Sequence, residues 1–477
     1  MTETPIGKLV WLLLCVVPLM VVAQATGLGL IDPWWNLALG RLMLEQHQLV
    51  THDTFSFTPT VVDAINQQWL AQLAWAAAYW SSGRVGVFLL RALAVAITSI
   101  CLWSIGRHLG ASRRALAAAS LLSGALLASN LGVRAQTLAF PIAALSLWLL
   151  QRGGRAQWLV VPLTVIWANV HGSFPLAVAF TGAFALGSFL SGARSAAYRY
   201  AALMLACAVS TLLTPYGVDV WRYAINMSSN DSLRIAITEW APTTVQSLTG
   251  KSFFIELAAA CAIMSFRRPP VPLTWLLLAG GLTVFGLSAV RNVVWVGIVG
   301  LPFWAVMLDR AVPMFADHRT RPRVVALIGA ALVAVALFAL MPGRIQLPTQ
   351  SASDGVQADQ EDALADLSAY LASEPQSPLF HDANWGAYLE AHMPPTQQVF
   401  IDTRFEVHPT AVWDDYLAVV SARFDWEAIL NQYGIERVAI DTDRTPMIAR
   451  ALDSSESWQR VWHTDRNSEH IVVWQRS

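Results

Sequence analysis

Apolar and polar positions divide this chain into three patterns. From about residue 9 to about residue 341, apolar runs alternate with polar turns, and many runs reach the roughly 17–25 residues needed to cross a bilayer. The pattern predicts about eleven spans, roughly 9–28, 85–106, 115–131, 137–151, 156–170, 174–192, 200–214, 252–266, 271–290, 293–309 and 324–341. Several are short, so neighbouring pairs are expected to tilt or to be partly re-entrant. Residues 32–77 follow a second pattern, in which Trp35, Leu39, Leu42 and Met43 recur at helical spacing. Leu73, Ala76 and Ala77 continue a similar segment after Trp69, and both segments are expected to lie along the membrane interface.

The third pattern follows a polar linker at 343–355. It predicts a helix over 358–373, strands at 378–381, 398–402, 437–441 and 469–474, and helices over 409–421, 426–433 and 445–452. Helices alternating with short buried strands favour a small layered sheet, mainly parallel. The expected fold is therefore an α-helical polytopic membrane protein over 1–342, carrying a small α/β domain over 356–477.

Composition agrees with this division. Of 477 residues, 55% are hydrophobic and 13% charged, with a mean hydropathy of +0.47; a soluble chain carries about 25% charged residues. Charge adds the orientation. Alternate loops hold Arg107, Arg113 and Arg114; Arg152 and Arg155; Arg194 and Arg199; Arg267 and Arg268; then Arg310, Arg319, Arg321 and Arg323. By the positive-inside rule these face the cytoplasm, as does the N-terminus, and everything after about residue 342 is extracytoplasmic. The expected location is the plasma (inner) membrane. No basic patch interleaves with aromatic residues on a soluble element, so nucleic-acid binding is not expected. Cys15, Cys101, Cys207 and Cys261 all fall in apolar runs and read as small buried hydrophobes, without a disulfide framework. Ala23-Gln24-Ala25 resembles a signal-peptidase site, but the preceding run is long for a signal segment, and an uncleaved first helix is expected.

The opposite loops carry the candidate chemistry. They hold Asp32, His47, His52 and Asp53; Asn130, Arg134 and Gln136; Asn169 and His171; Glu239-Trp240; and Arg291-Asn292. Trp34, Trp35, Trp69, Trp167, Trp221 and Trp240 are expected to rim this surface as interfacial anchors. Asp32-Pro33 opens a helix well, because Asp caps exposed N–H groups and Pro suits the first helical position. Asp32 also directly follows the first span, where an unneeded charge is costly. It shares its loop with His52-Asp53. Carboxylates so placed suit a general base towards an acceptor hydroxyl or amide, or a divalent cation; spacing alone does not choose. Arg134 and Arg291 suit a phosphate oxygen or a snorkelling interfacial position. His171 suits a phosphate, a metal or a helix end, and Glu239 a metal, an acceptor or solvent.

The stretch Asp32-Pro33-x-x-Asn36, followed by Arg41, Leu44-Glu45 and Asp53, resembles the first external loop of oligosaccharyltransferase catalytic subunits, and more broadly the GT-C class of membrane glycosyltransferases. Val133-Arg134-Ala135-Gln136, Trp167-Ala168-Asn169-Val170-His171-Gly172, Thr214-Pro215-Tyr216-Gly217 and Glu239-Trp240 resemble segments of bacterial GT-C-like membrane proteins. The resemblance implies sugar transfer from a polyprenyl-phosphate-linked donor to a glycan, lipid or protein acceptor at the non-cytoplasmic face, among membrane lipids. It implies Asp32 as the catalytic carboxylate and Asp53 as a second one. Arg134, His171, Glu239, Arg291 and His52 are then substrate-binding candidates. Asp32, Asp53 and Glu239 are the candidate ligands if a divalent cation such as Mg or Mn takes part. The Trp-Trp-Asp-Tyr-Gly element of oligosaccharyltransferases is replaced by Asn384-Trp385-Gly386-Ala387-Tyr388, which lacks the acid, so recognition of a peptide sequon is not expected.

In the C-terminal domain Asp402, Asp441 and His381-Asp382 end expected strands. They suit ligand contacts or, more simply, capping and pairing, for instance Asp402 with Arg404. A lipid flippase or transporter is the alternative function, disfavoured because the polar outliers gather at one face and no internal repeat is visible. A non-catalytic envelope assembly protein is a third.

Overall fold

The computed structural model describes the chain except residues 1–4, 26–31, 62–64, 230–237, 316–326, 333, 336–354, 395, 405–406 and 467–468. It divides into two compact units: residues 1–27 with 78–350, and residues 28–77 with 351–477. The sequence expectation grouped the first loop with the membrane segments; by packing, it belongs with the C-terminal region.

In the first unit the described helices are α1 (Pro5–Ala25), the later part of α3 (Trp69–His108), α4 (Arg113–Leu127), α5 (Ala135–Arg152), α6 (Val160–Val170), α7 (Pro175–Leu190), α8 (Arg194–Ser210), α9 (Asp219–Ser229), α10 (Leu248–Phe266), α11 (Leu273–Ser288) and α12 (Val293–Ala311). Among the described residues, four helical stretches are long and apolar enough to cross a membrane: Gly7–Gln24, Trp69–His108, Leu248–Phe266 and Val290–Ala311. The expected span 324–341 lies largely outside the described residues. Helix α12 is buried along most of its length, and it reaches α4 through small residues. A Cβ at Gly297 would meet the Leu127 and Leu126 side chains and the Ser123 carbonyl at 3.0–3.1 Å, and one at Gly300 would meet the Ser123 hydroxyl at 3.1 Å. Close approach through small residues is how helices associate where no hydrophobic driving force separates protein from lipid. Cys15, Cys101 and Cys207 are buried as expected, whereas Cys261 is exposed on α10.

Helix α2 (Asp32–Gln46) starts the second unit, at the Asp-Pro pair. Its apolar stripe does not stay free: Leu39 and Met43 pack with Val50, Phe55, Trp69 and Leu73 into a core of their own. At Gly40 a Cβ would sit 2.2 Å from the Gln72 carbonyl oxygen, so only glycine lets α2 lie this close to the start of α3. Helix α3 then breaks at Ser82-Gly83, where Gly83 takes φ +59, a left-handed conformation that glycine adopts without steric cost.

The C-terminal part of this unit follows as α13 (Gly355–Ser373), β1 (Leu379–His381), α14 (Ala383–His392), α15 (Thr410–Val420), α16 (Trp426–Gln432), β2 (Arg437–Asp441), α17 (Pro446–Ser454), β3 (Trp458–Arg466) and β4 (Glu469–Arg476). The sheet order is β1-β2-β4-β3. Only β1 and β2 pair in parallel; β2–β4 and β4–β3 are antiparallel. The expectation of a mainly parallel sheet is thereby corrected, because β3 was unforeseen and closes a hairpin with β4. Residues 398–402 are not a strand of this sheet. They are tied instead to the first loop, with a parallel bridge between Ser56 and Val399.

Gly386 sits where α14 packs against that segment: a Cβ there would meet the Ile401 carbonyl oxygen at 2.3 Å and the Asp402 Cα at 2.9 Å. Both are backbone atoms that cannot swing aside. Gly386→Ala is expected to destabilise the second unit by about 1–3 kcal/mol, the usual cost of overpacking. Chemical denaturation of the full chain in detergent, followed by amide protection in β2, measures it.

Candidate functional site

Each unit gathers its own group of the sequence-selected residues. In the first, α5 begins after Arg134, which has extended backbone. Its Nη1 donates to both Glu239 carboxylate oxygens, at 2.7 and 2.9 Å. Glu239 lies on a 3₁₀ turn, Thr238–Trp240, and the next residue ties that turn to another loop, since Val290 N donates to the Ala241 carbonyl at 3.0 Å. The tie places the Arg291 guanidinium 4.2 Å from the centre of the Trp240 ring, a cation–π geometry. Residues from three loops thus meet: Arg134, Glu239-Trp240 and Arg291.

His171 ends α6 and is 8% exposed. Its Nδ1 accepts from the Ser173 backbone N–H at 3.1 Å and lies 2.8 Å from the Ser173 hydroxyl. That hydroxyl in turn accepts from the Trp167 indole at 2.9 Å. Burial first, and then the Arg291 charge, lower the imidazole to about 3, so it is neutral at physiological pH. With Nδ1 accepting, the proton sits on Nε2, and the ring offers a fixed N–H donor. Trp167 is fully buried against Phe180 and Trp295. It is a core residue and not the interfacial anchor expected from sequence.

The second unit holds a buried ionic cluster. Arg404 Nη2 lies 2.7 Å from Asp53 Oδ1 and 3.2 Å from Glu390 Oε1, and the guanidinium also pairs with Asp402. The side chains are 7% (Arg404), 1% (Asp53), 0% (Glu390) and 0% (Asp402) exposed. Asp53 accepts in addition from Ser56 N at 2.8 Å, so its carboxylate is committed to holding the loop. Burial raises Glu390 well above the ordinary carboxylate range, and the negative Asp402 beside it adds to the shift. Its carboxyl is thereby pushed towards the protonated form, the one that can hydrogen-bond Asp402. Burial would raise Asp402 as well, but the Arg404 charge and these hydrogen bonds hold it down at about 2. The loop backbone adds Val399 N to Phe55 O at 2.8 Å, Phe57 N to Val399 O at 3.1 Å and Val61 N to Val407 O at 2.7 Å.

Asp32 opens α2; its side chain lies outside the described residues, and with it the expected capping contact. Trp34, two residues on, is 1% exposed and is packed inside protein instead of forming part of an interfacial rim. His52 is exposed. Asp402 pairs with Arg404 as its sequence neighbourhood allowed, Asp382 caps α14 through Asn384 N at 2.9 Å, and Asp441 accepts from Asp443 N at 2.8 Å. Among the described residues no group of three or more His, Cys, Asp or Glu side chains is arranged to hold a metal ion, and Asp53 and Glu239 are each engaged by an arginine. Sequence reasoning missed Glu390, a lone acid in the apolar run 385–391. It also missed Glu256, buried on α10, which accepts from the Trp304 indole at 3.0 Å.

No protein-family model matches this chain, and no curated protein matches it. Solved structures do. The chain is similar to the oligosaccharyltransferase of Archaeoglobus fulgidus in its apo form, with a TM-score of 0.55 at 13% identity over 90% of this chain and 69% of that one. It is similar to ArnT from Cupriavidus metallidurans bound to undecaprenyl phosphate, with a TM-score of 0.53 at 14% identity over 99% and 98% of the two chains. The mycobacterial arabinofuranosyltransferase AftD gives 0.55 at 15% identity over 98% of this chain, which spans 40% of that larger protein. All three are GT-C glycosyltransferases, and the fold of this chain is the GT-C fold.

Proposed function

We propose that this protein is a membrane glycosyltransferase. In this reading it moves a sugar from a polyprenyl-phosphate-linked donor to a glycan, lipid or protein acceptor at the extracytoplasmic face of the plasma (inner) membrane. The observation that carries this reading is the likeness to ArnT along nearly the whole of both chains, in a structure whose bound molecule is undecaprenyl phosphate. About eleven spans, a cytoplasmic N-terminus and an extracytoplasmic C-terminal domain complete the proposed topology.

Asp32 acts as the general base. The acceptor's hydroxyl or amide attacks the anomeric carbon, its proton passes to Asp32, and the bond to phosphate breaks, releasing polyprenyl phosphate. Charge grows on the phosphate as that bond breaks, so fixed donors there stabilise the transition state. Arg134, Arg291 and the Nε2–H of His171 are those donors. Arg134 is neutralised by Glu239, but with side chains 34% and 41% exposed such a pair is worth about 0–1 kcal/mol, and a phosphate can displace the carboxylate. Asp53, buried and held by Arg404, is assigned a structural role, and His52 the outer edge of the substrate surface. No step is routed through a divalent cation, since Asp53 and Glu239 already serve arginines.

In a strain lacking the gene, polyprenyl-linked sugar is expected to accumulate while an envelope acceptor loses its sugar. Mass spectrometry of lipid-linked sugars and envelope glycans reads both, and an unchanged profile overturns the proposal. Arg134→Gln is expected to raise the donor concentration for half-maximal transfer by about 10–100-fold, the worth of one charge-assisted hydrogen bond of about 1.5–3 kcal/mol. Arg134→Lys is expected to recover only part of it, because an ammonium lacks the bidentate fork.

A further inference from the structure

We infer that the C-terminal region sets the position of Asp32 through an aromatic seat beneath the first turn of α2, with Trp34 as the positioning residue and Tyr388 and His392 as its seat. The inference rests on the reading of Asp32 as the base. Trp34 meets both partners edge-on, with ring centres 5.3 Å from Tyr388 and 4.5 Å from His392. Those two rings stack on each other at 4.0 Å and 16°, and the His392 Nδ1 is fixed by the Tyr388 carbonyl at 2.9 Å. Trp34 is 1% exposed and Tyr388 3% exposed, so both rings sit in a filled core where a rotation displaces neighbours.

The seat is on α14, the same helix that supplies Glu390 to the Arg404 cluster, and that cluster grips the far end of the loop at Asp53. A ten-residue helix therefore holds the loop at two points, one two residues after Asp32 and the other at Asp53. Between them, α2 is pressed onto the start of α3 at Gly40. The first turn of α2 consequently has its height and rotation set by side chains more than 350 positions away in sequence. General-base catalysis is sensitive to such placement, since a misplacement of about 1 Å can cost on the order of 100-fold.

The test compares Trp34→Ala, Trp34→Phe and Tyr388→Ala with the unaltered full chain and with Asp32→Asn, all in detergent. Two readouts are taken: amide exchange, and transfer from the polyprenyl-linked sugar pool extracted from a strain lacking the gene. Trp34→Ala and Tyr388→Ala are expected to speed exchange at 34–38 while β2 amides at 437–441 stay protected. They are expected to lower the maximal transfer rate roughly 10–100-fold with the half-saturating donor concentration unchanged, and Trp34→Phe, which keeps a ring, is expected to recover most of the rate. Unchanged exchange at 34–38, equal loss of protection in β2, or an undiminished rate despite faster local exchange would each overturn the inference. If Asp32→Asn transfers normally, the base assignment fails instead, and the exchange readout still decides whether α14 holds α2.

Discussion

Arg404→Met is expected to unfold the C-terminal unit under conditions where the unaltered protein keeps it. The guanidinium is the counter-charge for Asp53 and Asp402 and lies against Glu390, all with side chains 1% exposed or less. Removing one partner of a buried ion pair costs about 3–5 kcal/mol, because the charges left behind remain desolvated. That loss is a large part of the stability of a domain of this size. Asp53→Asn should be milder, since Arg404 would still face Asp402 and Glu390. Glu390→Gln should be milder again at neutral pH, because burial and the Asp402 charge favour the protonated form of Glu390, which an amide replaces without loss of charge. Amide protection in β2 of the full chain, read against denaturant, ranks the three variants. A ranking with Glu390→Gln worst would show that Glu390 is ionised and would refute the charge assignment of the cluster.

The same cluster fixes how this deficit depends on pH. Asp402 is depressed to about 2 from an ordinary 3.8, so its contribution is present above 3.8 and is lost as pH falls through about 2. Glu390 is raised, so its contribution is present below its ordinary 4.5 and is lost as pH rises through its folded value. His381, which burial pushes down to about 4, stays neutral in the fold and takes up a proton on unfolding below about 6.5, and burial lowers His408 in the same direction. In the unaltered protein the histidines and Asp402 therefore make acid unfavourable. In Arg404→Met the guanidinium charge no longer lowers Asp402, and protonating it relieves buried charge. The gap between the two proteins is expected to narrow as pH falls towards 4 and to be widest at neutral and alkaline pH.

Much of the architecture was legible because it is written in local patterns. Asp32-Pro33 followed by a helical repeat marks α2, and the swing to short apolar runs after residue 356 marks α13, β1, α15, α16, β2, α17 and β4 within a few residues. What failed depended on distant partners. Val399, Phe400 and Ile401 read as a sheet strand, but the partner of Val399 is Ser56, far away in the first loop, and no local rule supplies it. Strand β3 was hidden by Gln459, Arg460, His463, Asp465 and Arg466, residues that an edge strand with one solvated face tolerates. Arg134, Glu239 and Arg291 were each picked out as polar residues in loops of one expected face, yet the pairing of Arg134 with Glu239, 105 positions apart, appears only in three dimensions. Asp53 shows the same limit from the other side: next to His52 in the first loop it has the profile of a reacting carboxylate, and its pairing with Arg404, 351 positions away, appears only in three dimensions.

Asp32→Asn is expected to lower sugar transfer by about 100- to 10,000-fold, the span a positioned general base contributes, while leaving the fold in place. The asparagine is nearly isosteric with aspartate and serves about equally well at a helix start, so α2 should still begin at the same residue. Loss of the negative charge near the helix N-terminus removes roughly 0.3–1 kcal/mol, too little to unfold a unit held by the Arg404 cluster. What the amide cannot do is accept the acceptor's proton. Asp32→Ala would be a poorer experiment, since it removes the start signal together with the base and mixes two causes. Asp32→Glu keeps the base but moves it by one methylene, and is expected to fall between the native chain and Asp32→Asn. The comparison with Asp53→Asn separates the two carboxylates of the loop. If both act chemically, each variant loses transfer while β2 protection is unchanged. With Asp53 as a clamp, its variant should lose transfer only in step with the stability of the C-terminal unit, and lowering the temperature should restore it, whereas no condition that stabilises the fold should restore Asp32→Asn.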